Sequence, residues 1–572
     1  MDISTITADV WIENENELIQ RLQEHTNWES IPFLNYNEVQ NLQDRKLVKF
    51  RGMVQDMFNP EYFYEQYEVV DQTTKVKSLR NGKFSDITYC KDAETINYDS
   101  PDNITKERHT LVVITTPGLN EWVHNIEKTK YTIASPSSRL TQVISKKRSL
   151  EPLEEMETES IENSTSDNKK QCTSEAPTNI KHVSREHLLN FPFREQHGKV
   201  CHVKLYKDSE KIKLNDVVEV VGFLSVDPIL TDFNCEDDCV NEMEIQTHNP
   251  PPSLIPRVHC VSIKKVPHSN PLLDANVLNA DRIRYIKKDL HIVLTQLLLG
   301  DTLAAEYLIY HLISKVYVRN DLLPLGKFAL NILNVPVTDV PDFGKHLSEF
   351  IALMVSTSYY LPMTLENMNE LSFTPKKDYE CDRLTSGLLQ LSSNTHLILD
   401  ETKLAPGRLN ESGVKAISAL SNTIKNQKIA YDFNYYPVEF DCDIAFLILS
   451  EGKTLLSSDF YVRLNPDNTF VKTYQEILET VKILLKPELL NDIRVYLTQM
   501  RHSDFQLNDD VHQLVQNEFV RLRQSQSITA DDLHQLLVLA RWICLSEGKT
   551  HLDADSWKRA CELEEQRKKN LV

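Results

Sequence analysis

Apolar residues recur at three- to four-residue spacing near the start of the chain, with Val10, Trp11, Leu18, Ile19 and Leu22 on one face, predicting amphipathic helix over the first 35 positions. The period then changes to alternation. Val48-Lys49-Phe50-Arg51-Gly52-Met53-Val54-Gln55-Asp56-Met57 reads as a strand, Tyr62 to Val70 as a second and Leu111 to Ile114 as a third. From about Ser135 to Ser184 the chain is rich in Ser, Thr, Glu, Asp and Lys and poor in aromatics. Such a segment buries too little apolar surface to offset its ordering entropy, so disorder is expected there.

Alternation resumes in Val200 to Tyr206, then passes an Asn215-Asp216 turn into Val217 to Leu224, with Arg257 to Val266 as a last strand. Strand, tight turn and a strand carrying Gly222 are common in small Greek-key barrels of the oligonucleotide-binding type. The strands on either side of the linker form either one split barrel or two small β domains; the single split barrel is the favoured expectation. Asn270-Pro271 marks a boundary. From Asp281 onward, helical patterns alternate with buried apolar runs, Thr395 to Leu399 and Ile444 to Leu449, as in an α/β domain with parallel strands. The last hundred or so residues are helical by pattern. Ser527 to Asp531 opens one helix with a Ser/Thr cap and an acidic first turn, and Leu533, Leu536, Leu537, Ala540 and Ile543 form its apolar face.

Composition narrows the function. The 572 residues carry 41% hydrophobic and 26% charged positions, ordinary for a globular chain of several domains, and a formal charge of −20. That charge opposes general affinity for nucleic acid or anionic membranes, so no direct nucleic-acid contact and no membrane association are expected. Glycine occurs only 13 times, roughly a third of the usual ~7%, although phosphate cradles and tight catalytic turns depend on it. Ten cysteines are scattered, and the nearest pair, Cys235 and Cys239, has no second pair at zinc-ligand spacing. Isolated reduced thiols, no metal site and an intracellular protein are expected. The start, Met1-Asp2-Ile3-Ser4, lacks the basic and apolar regions of a signal peptide, and no apolar run approaches the ~20 residues of a membrane span.

The chemistry-bearing motifs are incomplete ones. Leu297 to Tyr307, with Gly300-Asp301 at its turn, resembles the place of an ATPase phosphate loop, but Glu306 and Tyr307 stand where the phosphate-binding Lys and the magnesium-binding hydroxyl belong. Leu397-Ile398-Leu399-Asp400-Glu401 delivers two acids to a strand end, as a magnesium-binding strand does; an acidic helix start after a buried strand is the equal alternative. Ser-Glu-Gly-Lys-Thr occurs at 450–454 and 546–550, where the leading glycine of a phosphate loop falls on Leu447 and Ile543, so both read as exposed turns. Lys146-Lys147-Arg148, flanked by Ser145 and Ser149, is either a nuclear import signal or a solvated charge run. Phe58, Tyr62, Phe63, Tyr64 and Tyr67 could stack bases, but the interleaved Asp56, Glu61, Glu65 and Glu68 favour packing or a protein partner. No Gly-x-Ser-x-Gly elbow or His-Glu-x-x-His helix is present.

Longer segments carry a more specific likeness: Val48 to Phe58, Gly222 to Pro228, LLGDTLAAEYLIYHLIS from Leu298, LPLGKF from Leu323, SGLLQLSSNTHLILDET from Ser386 and SITADDLHQLLVLAR from Ser527. By these the chain resembles the minichromosome maintenance (MCM) complex-binding protein family over nearly its whole length. The family is itself similar to the MCM helicase subunits. The resemblance implies a multidomain α+β and α/β fold, with an oligonucleotide-binding-like β-barrel half, a degenerate AAA+-like α/β domain and a C-terminal helical region. The boundaries are 1–40 helical, 41–134 first β-rich part, 135–184 linker, 185–270 second β-rich part, 281–480 α/β and 481–572 helical. Against the helicase pattern, Gly300 and Asp301 match the start of the phosphate loop, with Glu306 and Tyr307 replacing its Lys and Ser. Asp400 and Glu401 match the magnesium and water-activating acids. Ser458 follows Leu455-Leu456-Ser457 where an arginine finger would stand, and Asp531 replaces a phosphate-sensing Arg. The implied protein is no enzyme and uses no cofactor. Its partners are MCM helicase subunits, its association with chromatin is indirect and its location is the nucleus. The implied role is ATP-independent disassembly of the MCM complex in late S phase, with support of sister-chromatid cohesion; care of unassembled subunits, a passive scaffold and a single-stranded DNA-binding barrel are the alternatives.

Overall fold

The computed structural model describes residues 3–132, 183–195, 198–228, 242–273, 277–320, 323–506 and 529–571, with a few positions between 513 and 524. The basic cluster Lys146, Lys147 and Arg148, the two flanking serines, and Cys235 and Cys239 lie outside the described residues.

Alternating strands from both sides of the linker join one sheet. The strands are β1 (Leu47–Met57), β2 (Glu61–Asp71), β3 (Lys77–Asn81), β4 (Glu94–Asn97), β5 (Ile104–Ile114), β6 (Val200–Leu205), β7 (Val217–Ser225) and β8 (Arg257–Lys265). Pairing runs β1-β7-β8-β6-β5, and β5 returns to β1, so five of them close a ring; β6 and β8 are parallel and the other four contacts antiparallel. Closure removes the unpaired edges that a flat sheet of these strands would expose. It also brings backbones close together: a Cβ on Gly52 would lie 2.2 Å from the Ile114 carbonyl oxygen, and one on Gly222 2.3 Å from that of His259. Val48, Phe50, Val54, Leu111, Val203 and Val220 fill the interior. Outside it, Trp11, Leu18, Leu22 and Trp28 of three short N-terminal helices pack on Leu47, Phe84 and Phe223.

Several charged residues in this half pair with one another. Arg51 donates through Nε to Glu219 at 2.7 Å and through Nη1 to Glu127. Arg257, 1% exposed, donates to Asp86 at 2.9 Å. Lys204 and Arg108 share Glu61.

The second half follows the α/β pattern. Its strands are β9 (Val318–Asn320), β10 (Leu323–Leu325), β11 (Leu330–Leu333), β12 (Ser358–Pro362), β13 (Lys376–Asp378), β14 (Arg383–Thr385), β15 (Thr395–Asp400), β16 (Lys428–Asp432), β17 (Pro437–Asp441), β18 (Ile444–Leu449) and β19 (Phe460–Arg463). Five form a parallel sheet in the order β12-β15-β18-β11-β19. β15 and β18 are buried at every residue, which is why they read as continuous apolar runs rather than alternating ones. The helices Pro487–His502, Ala530–Ser546 and Ala554–Leu571 then pack with Ala280–Leu297 and Thr302–Ile313 in one large core.

The two halves meet across a polar seam. Gln55 donates to the Leu384 carbonyl at 2.9 Å, and Gln390 donates back to the Gln55 carbonyl at 2.8 Å. Asp56 accepts from the Leu384 amide at 2.7 Å, and Trp122 donates to Val355 at 2.8 Å. The expected boundary residue Asn270 is buried, and its amide donates to Arg494 and Thr498, each at 2.9 Å, so the junction is pinned rather than loose. Among the described residues, no helix is long and apolar enough to cross a membrane.

Candidate functional site

A phosphate loop follows a strand, because the strand delivers the loop and the next helix presents its N-terminal amides. Gly300 and Asp301 do not have that setting. The helix Ala280–Leu297 precedes them and Thr302–Ile313 follows, so the expected strand–loop–helix is a helix–turn–helix. The signal was misleading because Leu297-Leu298-Leu299 is apolar enough to pass for a strand end; all three residues are buried in the helical core instead. Gly300 sits at φ +89° in the turn. The Asp301 carboxylate accepts from the amides of Ala304 and Asn465, both at 2.9 Å, which makes it a helix cap.

Glu306 and Tyr307 are structural here. Glu306 lies 3.3 Å from Lys287 and 3.4 Å from His291, and accepts from the Tyr310 hydroxyl. Burial works to raise its pKa, but Lys287, Tyr310 and His291 together hold it below the usual value. Tyr307 is fully buried and donates to Glu564 at 3.4 Å, and Glu564 is in turn held by Arg567.

Asp400 and Glu401 stand at the carboxyl end of β15, where the apolar run was expected to deliver them. Asp400 is fully buried; it accepts from Tyr360 at 2.7 Å and from the hydroxyl and amide of Thr402 at 2.5 and 3.1 Å. Glu401 accepts from the Thr454 hydroxyl at 2.9 Å and the amides of Leu455 and Leu456 at 3.2 and 3.3 Å, and burial raises its pKa. None of these partners belongs to the Gly300 turn.

What faces Asp400 is a segment the motif reading passed over. β11, between β18 and β19, leads through residues 334–342 into the helix Phe343–Met354, whose first turn reads Phe343-Gly344-Lys345-His346. A Cβ on Gly344 would lie 2.4 Å from the Asp400 Oδ2 atom, so the strand-end acid is seated against this glycine. The position is the switch point of the sheet, where the strand order reverses. The signal in the sequence is a Gly-Lys pair, Gly344-Lys345, a short loop after the apolar run Leu330–Leu333; it lacks the following Thr that marks the 450–454 and 546–550 segments.

The loop is unsuited to a phosphate. Pro336 and Pro341 contribute no N–H, and Asp339 and Asp342 add negative charge. Several remaining amides are turned inward: Val337 donates to Val335, Val340 to Pro336 and Phe343 to Val340. Lys403 donates to the Pro341 carbonyl at 2.8 Å and lies 3.4 Å from Asp342, which holds the loop down. Beside it a pocket of about 270 Å3 is lined by Asp339, Asp342, His346, Tyr474 and Glu476.

The other expected positions are dispersed. Ser458 donates its amide to the Tyr461 hydroxyl in the segment between β18 and β19. Asp531 is exposed in the first turn of Ala530–Ser546, beside a Thr529–Asp532 capping box. The 450–454 segment follows β18, and the 546–550 segment is a turn after a helix. Of the aromatic set, Tyr67 is buried, Phe58 stacks on His248 at 4.1 Å and Phe63 packs edge-on against Tyr206, while Tyr62 is exposed. Glu244, His248 and Asp382 bring potential ligand atoms within 4.8 Å of one another. Asp382 is already 2.6 Å from Lys377, however, and His248 contacts the Cys381 carbonyl at 3.0 Å across the seam between the halves.

Fold and site together define a class: a mixed α+β protein whose parallel sheet carries a strand-end carboxylate faced by a loop of prolines, acids and internally bonded amides. Residues 18–571 match the family described as Mini-chromosome maintenance replisome factor, and the chain belongs to that family. It is similar to the mini-chromosome maintenance complex-binding protein of Gallus gallus, 40% identical over 96% of this chain and 92% of that protein. The Homo sapiens protein of the same name is 39% identical over 96% and 92%, and the Drosophila melanogaster one 38% identical over 96% and 94%.

Proposed function

We propose that this chain binds subunits of the MCM complex and regulates their assembly without hydrolysing nucleotide. Membership of the family and the name its relatives carry support the partner. The observation that carries the non-enzymatic part is the Gly344 loop, where prolines, acids and self-satisfied amides replace the glycines and free N–H groups of a phosphate cradle.

In this proposal the parallel sheet is a degenerate AAA+-like domain, a reading supported by the strand order and by Asp400 at the switch point. The closed five-stranded ring is an oligonucleotide-binding-like barrel that has lost nucleic-acid affinity, in keeping with the charge of −20. A subunit-shaped protein could occupy the face through which helicase subunits pair and yet leave the ATP site incomplete. Binding energy alone would then separate subunits or hold them before assembly, in late S phase and in support of cohesion. Lys146-Lys147-Arg148 would carry the chain into the nucleus.

The test mixes the purified chain with assembled MCM complex in the absence of nucleotide and follows subunit release by size-exclusion chromatography. Complexes of this chain with fewer subunits than the starting assembly are expected. An intact assembly that only gains mass would replace disassembly with a scaffold role, and binding confined to free subunits would make the chain their chaperone.

A further inference from the structure

At the amino ends of the parallel strands, opposite Asp400, a cavity of about 470 Å3 opens on the seam between the two halves. β8 and the residues after it contribute Lys265 and His268; β15 contributes His396; the end of Pro487–His502 contributes Arg501 and His502. In a chain of charge −20, this lining carries two permanent cations and three imidazoles. Asp216 is its single carboxylate, and it is held by Lys265 at 2.7 Å.

Arg501 decides what the cavity could take. It is 4% exposed, yet its Nε and Nη2 groups have no hydrogen-bond partner among the described residues. The Asp443 carboxylate is 3.7 Å from Nη2, beyond hydrogen-bond distance. Nη1 donates to His396 Nε2 at 3.2 Å, which leaves the His396 proton on Nδ1, also without a partner. Two guanidinium N–H groups whose nearest acceptor is the Asp443 carboxylate at 3.7 Å, and an imidazole N–H with none among the described residues, are costly unless a ligand satisfies them. Burial presses the Arg501 charge downward and Asp443 only partly offsets this. A planar guanidinium with two open N–H groups matches the paired oxygens of a phosphoryl group, and Ser356 and Ser393 add hydroxyls to the wall.

We propose that this cavity is a binding site for a phosphate-bearing small molecule, held by Arg501 and His396 from one half and by Lys265 from the other. Because both halves contribute, occupancy would tighten the seam. The site is separate from the Asp400–Gly344 end by most of the length of β15, about 13 Å between His396 and Asp400.

The experiment is isothermal titration calorimetry of the full chain with inorganic phosphate, and in parallel with AMP and ATP, at constant ionic strength set with chloride. Saturable binding is expected. If phosphate binds as tightly as AMP, the free anion suffices; tighter AMP binding identifies a phosphomonoester. Arg501→Gln should weaken binding at least ~10-fold. Lys265→Gln, on the exposed rim, should weaken it about threefold and stands as the deciding variant if Arg501→Gln does not fold. Lys345→Ala, beside Gly344, should leave it unchanged. No saturable binding of any of the three, unchanged affinity in both the Arg501 and Lys265 variants, or loss in Lys345→Ala alone would each overturn the site.

Discussion

The strand ring and the parallel sheet both bury charge, but they neutralise it differently. In the ring most buried cations have a carboxylate of their own half: Arg51 has Glu127 and Glu219, Arg257 has Asp86, and Lys204 and Arg108 share Glu61, while Lys49 is met by the Trp28 carbonyl and the Phe33 ring. In the sheet the buried acid Asp400 is met by two hydroxyls and an amide, while the buried Arg501 at the opposite strand ends has only a distant Asp443. The first arrangement consumes its charges internally and holds a shape. The second leaves polar capacity at both ends of the strands, which is where α/β proteins place ligands.

That contrast can be broken most severely in the ring. Arg257→Met removes the permanent charge that meets Asp86 and leaves it only the Ser225 hydroxyl and His259, and a buried pair broken on one side costs about 3–5 kcal/mol. Chemical denaturation should show that loss; a change below about 1 kcal/mol would place the ring's stability in its apolar interior alone.

The sheet end is expected to respond by coupling. Gly344→Ala forces a methyl against Asp400 and should cost about 1–3 kcal/mol. Asp400→Ala strips Tyr360 and Thr402 of their acceptor and should cost a similar ~1–3 kcal/mol. The double variant relieves the clash, so its loss should fall well short of the sum. Simple additivity would mean the two residues do not touch.

Both halves should share one pH response. Burial holds His202 in the ring down to about 3 and His311 in the sheet half down to about 4. The unfolded chain takes up a proton near pH 6.5 that the folded chain refuses, so stability is full above 6.5 and is lost as pH falls toward those values. Each histidine should contribute about 2 kcal/mol of loss between pH 7 and 5. His311→Asn retains a donor for the Phe328 carbonyl and should remove one such share from the unfolding midpoints; an unaltered pH profile would exclude His311 as the source.

The smallest effect is expected at Lys345. It is exposed and in a loop setting that does not cradle phosphate, so Lys345→Ala should alter stability by less than about 0.5 kcal/mol and leave the size-exclusion profile with MCM subunits unchanged. A loss of nucleotide-dependent behaviour in this variant would reopen the Gly344 loop as a working site.

Much of the secondary structure was legible because short-range patterning reports burial. Thr395 to Leu399 became the fully buried strand its continuous apolar run predicted, whereas Val48 to Met57 became a strand but not a half-exposed one, because the N-terminal helices cover its outer face as well. The strand-end position of Asp400 and Glu401 was legible too, although the acidic helix start weighed equally against it is also met, since Asp400 caps the short turn Glu401–Lys403. The Gly300 segment was not legible. A buried helix end and a buried strand end look alike over three leucines, and only the packing of Ala280–Leu297 against its neighbours distinguishes them.

The sequence by itself determined where most strands and helices form, how acidic the chain is and which family it belongs to, because periodicity, composition and extended likeness are local or additive properties. Tertiary structure alone decided that strands separated by the 135–184 segment close one ring, that Gly344 rather than Gly300 faces Asp400, and that Arg501 ends in a cavity without an acceptor. Those are facts about which residues meet across hundreds of positions, and strand pairing and close packing, not local preference, choose such partners.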